Sequence, residues 1–436
     1  MLKKLIPVEP DEWKPVLLAT AYGFCILLSY YIVRPVRDEI STVDRGNLQI
    51  LWTAVFLVML VAVPLYSWLV SRVSRGVFIP LANRFFALNL VGFWAVLQLL
   101  PDSTRPWIDR VFYVWVSVFA LFVVTVFWGF VADLFRSSQG RRVFGFIAVG
   151  ASLGGIVGSA FTGQVASFMP VFALLLVSAV PLEVAAWLAR ALHREAEDEK
   201  RTVLRTEGIA RVGGDAWSGM KTVFRDPYLR KVAGFIFLMT FASTILYFQQ
   251  SFLIYDAIAD RGERREFLAH MDLATNILTI TTQGLFTAHI IRKIGVGLSL
   301  AAVPVLTMLG FVGLGLWPLL WTLVVLQVLY RAGRYSVTRP AREVLFTVMG
   351  REERYKSKAF VDAAVYRGGD LVNGWIYAGL AALGLGIGAI SLVAAPAIAL
   401  WVGLGLVLGK EQEARAAREP AERGGSVEDG AEAAPA

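Results

Sequence analysis

The stretch KSKAFVDAAVYRGGDLVNGW places ionisable side chains at the start of an apolar run. Lys358, Asp362, Arg367 and Asp370 have the chemistry to bind an anion or to exchange charge partners, whereas catalysis would need a nucleophile and a base. Asp362, Tyr366 and Asp370 recur at four-residue spacing on one helical face, and Arg367 can reach Asp370 across one turn. The pattern predicts a binding or gating site carried by a helix, and a self-neutralised structural pair is the alternative.

Two other segments combine arginine with acids or tyrosine. YYIVRPVRDEI contains Arg34, Arg37 and Asp38, and RAGRYSVTRPAREV contains a series of arginines beside Tyr335. Arginine offers bidentate contacts to phosphate or carboxylate, and tyrosine offers a face for stacking. Both segments are consistent with an anionic substrate that has a ring, and structural pairing such as Arg34 with Asp38 is the alternative.

The composition requires these charges to lie in a membrane protein. The 436 residues are 56% hydrophobic and only 17% charged, with a net charge of +8. Apolar runs of roughly 18–24 residues recur along the chain, and each is long enough to cross about 30 Å of hydrocarbon. The single cysteine and three scattered histidines give no metal-ligand spacing. We therefore predict an all-α polytopic membrane protein with no metal, no cofactor and no enzymatic activity.

The apolar runs predict twelve spans in two halves. They are 15–34, 48–71, 77–99, 111–134, 144–168, 170–189, 231–254, 271–291, 295–315, 319–338, 358–383 and 386–408. Lysine and arginine are concentrated on the side of the termini, which places both termini in the cytoplasm. The predicted division is a six-helix half at 1–189, a cytoplasmic linker at 190–230, a second half at 231–408 and a disordered cytoplasmic tail at 409–436.

The two halves contain a weak internal repeat. Span five, RVFGFIAVGASLGG, aligns without gaps with span eleven, KSKAFVDAAVYRGG. Span five is uncharged, and its glycines Gly150, Gly154 and Gly158 predict close helix packing. Span eleven keeps a glycine pair, Gly368–Gly369, which predicts a local opening of the helix. Parallel repeats are typical of the major facilitator architecture, with substrate near the membrane midplane.

Several strings together resemble the ATP/ADP antiporter family, in particular its free-living bacterial branch. The resemblance covers most of 15–408 and is most specific in the block from Arg331 to Asp370; DPYLRKVAGFIFLMTFASTILYFQQ and VFWGFVADLF also contribute to it. It implies a major facilitator-like exchanger that moves nucleotides without hydrolysing them. The family's basic-residue–Asp motif of span one, implied to meet phosphates, is matched by Arg37–Asp38.

The family's pattern in spans ten and eleven is matched by Tyr335, Ser336, Pro340, Glu343, Lys356, Lys358 and Asp362. The chain departs from that pattern in three positions. Arg339 stands where the family has an acid, and Arg37 and Arg342 replace lysines. Arginine keeps the charge but changes the hydrogen-bond geometry.

The residues and the resemblance together give one set of candidates. The predicted substrate-binding residues are Arg34, Arg37, Gln250, Arg334, Tyr335, Lys358, Tyr366 and Arg367, and the predicted gating ion pairs use Asp38, Arg339, Arg342, Glu343, Asp362 and Asp370.

The predicted function is secondary transport of a phosphorylated organic anion, with nucleotide implied by the resemblance. The expected partners are membrane lipids and this substrate, not nucleic acid. We expect a monomer in the bacterial inner membrane. Transport of another anion or a lipid-like cargo, and a transport-inactive scaffold or sensor, remain as alternatives.

Overall fold

A computed structural model describes residues 12–135, 137–202 and 216–428. Over these residues the chain is almost entirely helical and contains no β-strand. Helices are the expected solution, because a segment in hydrocarbon has to satisfy its backbone N–H and C=O groups internally.

Six helices precede residue 203: α1 (Trp13–Val43), α2 (Leu48–Arg72), α3 (Arg75–Leu99), α4 (Arg105–Leu134), α5 (Ser137–Val165) and α6 (Val171–Thr202). Nine follow: α7 (Ala216–Arg225), α8 (Pro227–Ala257), α9 (Arg261–Leu285), α10 (Thr287–Leu316), α11 (Leu320–Gly333), α12 (Arg339–Leu345), α13 (Arg351–Phe360), α14 (Tyr366–Ala382) and α15 (Ile387–Glu428). Two π-helical turns, Arg334–Thr338 and Val361–Val365, join α11 to α12 and α13 to α14.

Within the described residues, nine helices are long and apolar enough to cross a membrane. They cover all the predicted spans except those at 271–291, 319–338 and 358–383. Those three segments are helical, but they are polar or interrupted by π turns. The protein is thus a multi-pass helical membrane protein, and the number twelve stays a prediction. The three segments that fall short carry many of the candidate site residues.

The chain forms two compact units. The first consists of Met1–Gly208 and Gln250–Ile280, and the second of Ile209–Gln249 and Thr281–Ala436. The two halves of a transporter are the parts that move against each other. A division of the chain by packing does not test them, so the boundaries of the predicted halves stay a prediction.

The glycines of span five pack against α1, as predicted. A Cβ added at Gly154 would lie 2.1 Å from the carbonyl oxygen of Phe24, and one added at Gly158 would lie 2.7 Å from that of Leu28. Only a residue without a side chain permits this approach of two backbones. The contact fixes α1, and with it the arginines near its end, against α5.

Two local expectations differ from the structure. The helix does not open at Gly368–Gly369, since α14 runs through both residues. Gly369 instead packs closely, because an added Cβ would lie 2.4 Å from the hydroxyl oxygen of Thr240.

The tail predicted to be disordered from 409 is helical as far as Glu428, the last described residue. Its alanines, glutamates and arginines are strong helix formers. An ion pair between Glu411 and Lys231, and another in which Arg415 lies 2.9 Å from Asp226, hold the start of this extension.

Candidate functional site

The first unit contains a buried charge cluster on α1 and α9, which we call the α1 cluster (Arg34, Arg37, Asp38 and Asp272). The Nε of Arg34 lies 3.4 Å from a carboxylate oxygen of Asp38 and 3.4 Å from one of Asp272. Arg37 reaches Asp38 at 3.0 Å. The side chain of Arg34 is only 14% exposed, and those of the two acids 4% and 2%.

The α1 cluster is neutral as a whole, with two arginines and two carboxylates. Burial of an unpaired charge is costly, so each member depends on the others. The Nε of Arg34 is buried and makes no hydrogen bond, although both carboxylates lie near it. At the Nε of Arg34, electrostatic attraction rather than a close hydrogen bond therefore stabilises the cluster. Such pairing is compatible with ion pairs that exchange partners.

The second unit places Arg334 among three aromatic rings, and we call this group the tyrosine cage (Arg334, Tyr330, Tyr335, Tyr366 and Ser243). The guanidinium carbon lies 6.0, 5.1 and 6.0 Å from the ring centres of Tyr330, Tyr335 and Tyr366. Nη1 donates a 3.1 Å hydrogen bond to the Ser243 hydroxyl. No carboxylate of the described residues lies within 4.0 Å of this guanidinium.

The π turn Arg334–Thr338 builds one side of the cage. A π turn changes the hydrogen-bond pattern of a helix and occurs often at functional sites. Two of its carbonyls are bonded from neighbouring segments: Gln283 donates to Tyr335 O at 3.1 Å, and Thr287 donates to Ser336 O at 2.7 Å. These bonds stabilise the turn that presents Arg334.

Arg367 and Asp370 lie beside the cage on α14. Their closest atoms are 3.9 Å apart, which makes a loose pair across one turn, as predicted. The guanidinium carbon of Arg367 lies 5.9 Å from the ring centre of Tyr366. Asp370 is 19% exposed and Arg367 33%. The pair is partly accessible, so it can open without burying an isolated charge.

A second ionic network, the α12–α13 network (Arg342, Glu343, Lys358 and Asp362), joins α12 to the helix that leads into α14. Arg342 lies 3.0 Å from Asp362 and 3.2 Å from Glu343, and Lys358 pairs with Glu343. Burial alone would raise the pKa of Glu343, but the neighbouring Lys358 and Arg342 outweigh it and lower the pKa. All four members are candidates of the sequence analysis.

The remaining candidates lie apart from these groups. Arg339 is exposed, and no ion pair links it to another described residue. Gln250 is buried in α8 within the first unit. The π turn Val361–Val365 also changes the helical register, so Asp362 pairs with α12 while Asp370 pairs within α14.

Sequence reasoning missed three residues that complete the clusters. Asp272 begins the predicted span eight, Tyr330 lies one turn before Arg334, and Ser243 is in α8. Tyr330 could have been predicted, because an aromatic residue four positions before an arginine lies next to it on a helix surface. Neither Asp272 nor Ser243 had a local signal, because each meets its partner through tertiary packing.

The described residues form a helical multi-pass membrane protein whose fold is major facilitator-like. Solved structures of similar fold include a POT family transporter in complex with 5-aminolevulinic acid (TM-score 0.64, 11% identity, 92% of this chain and 96% of that one). The nucleoside transporter NupG is also similar, with TM-score 0.57, 12% identity and coverage of 92% and 99%. At these identities the similarity concerns the fold alone. No protein-family model matches the chain.

In sequence, the chain is related to ADP,ATP carrier proteins. It is 21% identical to ADP,ATP carrier protein 2 of Chlamydia pneumoniae, over 95% of this chain and 91% of that protein. The corresponding protein of Chlamydia trachomatis is 24% identical over 94% and 90%. The chloroplastic ADP,ATP carrier protein 2 of Arabidopsis thaliana is 20% identical over 82% and 68%. The predicted resemblance to the ATP/ADP antiporter family is thereby confirmed.

Proposed function

We propose that the protein is a secondary transporter that exchanges a phosphorylated organic anion, with ATP and ADP as the first substrates to test. Its sequence relatives are ADP,ATP carriers over most of their length, and its fold is that of membrane transporters. These findings favour transport over a scaffold or sensor. No nucleotide-hydrolysing loop is needed, because exchange is driven by the gradients of the exchanged molecules.

The observation that carries the proposal is the state of Arg334. It is a half-buried cation that has aromatic faces and a hydroxyl as neighbours but no carboxylate within ion-pair distance among the described residues. Cation–π contacts offset part of its desolvation. They leave its charge without a close ion-pair partner among the described residues, so an anionic group of the substrate would complete the site. The three tyrosines also offer rings on which a nucleobase can stack.

The α1 cluster and the α12–α13 network differ from the cage, because each already balances its own charges. We assign to them the ion pairs that open and re-form during alternating access. Arg34 and Arg37 then contribute to gating as well as to substrate attraction. Lys358 is assigned to the α12–α13 network, and it would contact the substrate only after its ion pair with Glu343 has broken.

The setting follows from the same reasoning. We propose a monomer in the bacterial inner membrane with both termini in the cytoplasm, in contact with lipids and with a small anionic substrate. Reporter fusions at the two ends would test the orientation: cytoplasmic reporters should be active at both, and activity of a periplasmic reporter at either end would contradict it.

The decisive test is exchange in proteoliposomes that contain the purified full chain. Vesicles preloaded with ADP should take up labelled ATP faster than empty vesicles do, and other phosphorylated metabolites should be compared as competitors. Arg334→Gln should reduce uptake at least tenfold, because a charge-assisted contact to the anion is lost. Arg334→Lys should remain impaired, since lysine lacks the planar fork.

The double variant Arg84→Gln/Glu183→Gln is the matched control, since it removes an ion pair between α3 and α6 without leaving either charge unpaired. It should leave exchange unchanged. The proposal is wrong if folded protein exchanges none of the phosphorylated anions. Uptake of a lipid-like anion in place of all of them would establish the alternative cargo, and unchanged function in Arg367→Ala and Asp370→Ala variants would favour a scaffold.

A further inference from the structure

A second basic site lies in the first unit and shares no residue with the α1 cluster or the tyrosine cage. It is a pocket of about 430 Å³ formed by the end of α3 and the starts of α4, α6 and α9. Its volume is within the range of roughly 300–1,000 Å³ that small-molecule sites occupy. The predicted topology places all four of these helix ends on the outer side, opposite the termini.

Three arginines line this pocket: Arg105, Arg261 and Arg265. No acidic residue is among the described residues of its wall, which otherwise consists of Leu97, Gln98, Pro170, Val171 and Phe172. The start of α6 adds backbone N–H groups that have no acceptor inside the helix, and the helix dipole favours an anion there. A cationic wall with this helix end is suited to an oxyanion.

The carboxylates that pair with these arginines lie behind the wall and do not line the pocket. Arg261 lies 2.6 Å from Glu39 and 2.8 Å from Asp109, and Arg105 lies 2.9 Å from Asp109. Arg265 reaches Glu39 only at 3.9 Å. Asp260 also attracts Arg265, so three carboxylates balance the three arginines, but only the arginines line the pocket.

Arg265 is the least closely paired of the three arginines. The residue is only 7% exposed, yet its buried Nε has no hydrogen-bond partner. Its Nη2 makes a single long contact of 3.4 Å to the carbonyl of Ala166. Its two terminal nitrogens make only long contacts, so an anion in the adjoining pocket would improve the pairing of this guanidinium. The pocket is the space next to it that a ligand can fill.

We propose that this pocket binds a phosphate group on the outer side of the protein, with Arg265 as its main ligand. Two kinds of molecule carry such a phosphate group. One is an anionic phospholipid, whose acyl chains would lie along the apolar wall, and the other is a soluble phosphate ester. The site is separate from the tyrosine cage and does not depend on the proposed transport function.

The test uses purified, delipidated full chain in maltoside detergent. The midpoint of thermal unfolding is measured against sodium phosphate, with sodium chloride at the same ionic strength as the reference, and against short-chain phosphatidylglycerol. We expect saturable stabilisation by both phosphate compounds. Saturation by phosphatidylglycerol at a concentration at least tenfold lower than by phosphate identifies the lipid source, and equal or better binding of phosphate identifies the soluble one.

Variants decide whether the pocket is responsible. Arg265→Gln should weaken the apparent affinity about tenfold or more, and Gln98→Trp, at an exposed position of the wall, should block the pocket without altering an arginine. Arg334→Gln should leave the effect intact, which separates this site from the cage. The proposal is overturned if chloride stabilises equally, if both pocket variants retain the effect, or if Arg334→Gln alone abolishes it.

Discussion

Replacing Gly154 by alanine tests the packing that holds α1 in place. The added methyl group would lie 2.1 Å from the carbonyl oxygen of Phe24 and 2.8 Å from its carbonyl carbon. Both atoms belong to the backbone of α1, so they cannot rotate away as a side chain would. The two helices would have to separate by roughly 1 Å, and a gap of that size forfeits a quarter to a half of the dispersion attraction.

Overpacking of this kind costs about 1–3 kcal/mol, and we expect the upper half of that range because the obstacle is backbone. For a chain of this size such a loss lowers the unfolding midpoint by roughly 2–3 °C. The assay is thermal unfolding of the purified variant in detergent, followed by tryptophan fluorescence. Transport should fall in parallel, since α1 carries Arg34 and Arg37.

Gly145→Ala is the matched control on the same helix. A Cβ at Gly145 meets nothing within 4 Å, so the substitution should be neutral or slightly stabilising, as alanine has the higher helix propensity. Equal midpoints for the two variants would refute the reasoning, because the close approach of α5 to α1 would then carry no energetic consequence.

Three further results are expected from the charge networks. Asp272→Asn should lower the free energy of unfolding by about 3 kcal/mol or somewhat less, because Arg34 still pairs with Asp38. A double-mutant cycle that combines this change with Arg34→Gln should show that the two effects are coupled. Additive effects would contradict the pairing. The lowered pKa of Glu343 means that its ionised form adds stability above the usual glutamate pKa, and this is lost as pH falls through the lowered value. Glu343→Gln should therefore flatten the acid limb of a stability–pH curve, and an unchanged limb would contradict the sign. Arg84→Gln should lower the unfolding midpoint more than the double variant Arg84→Gln/Glu183→Gln does, because the single change leaves Glu183 unpaired on a membrane-spanning helix; equal midpoints would contradict this.

The three segments that are too polar or too interrupted to count as simple spans carry members of the charge clusters. α9 carries Asp272, and the π turns at Arg334–Thr338 and Val361–Val365 carry Arg334 and Asp362. Ionisable groups at such depth are retained where they face protein or an aqueous path. The interruptions of the apolar pattern thus coincide with the candidate sites.

The sequence by itself determined the helical membrane class, the positions of the long helices and the segments that carry the charges. Apolar run length and local spacing encode these features directly. The i to i+4 pair of Arg34 with Asp38 and the i to i+3 pair of Arg367 with Asp370 also followed from spacing, because both partners lie on one helix.

Only the tertiary structure decided which charges are neutralised and which remain. Asp272 reaches Arg34 across 238 positions of the chain, and Ser243 reaches Arg334 across 91; neither contact has a local pattern. The π turns are equally inaccessible to a periodic reading, since one extra residue in a turn rotates everything beyond it. Arg334 was one arginine among several in the sequence, and the packing of α8, α11 and α14 makes it the cation of the tyrosine cage.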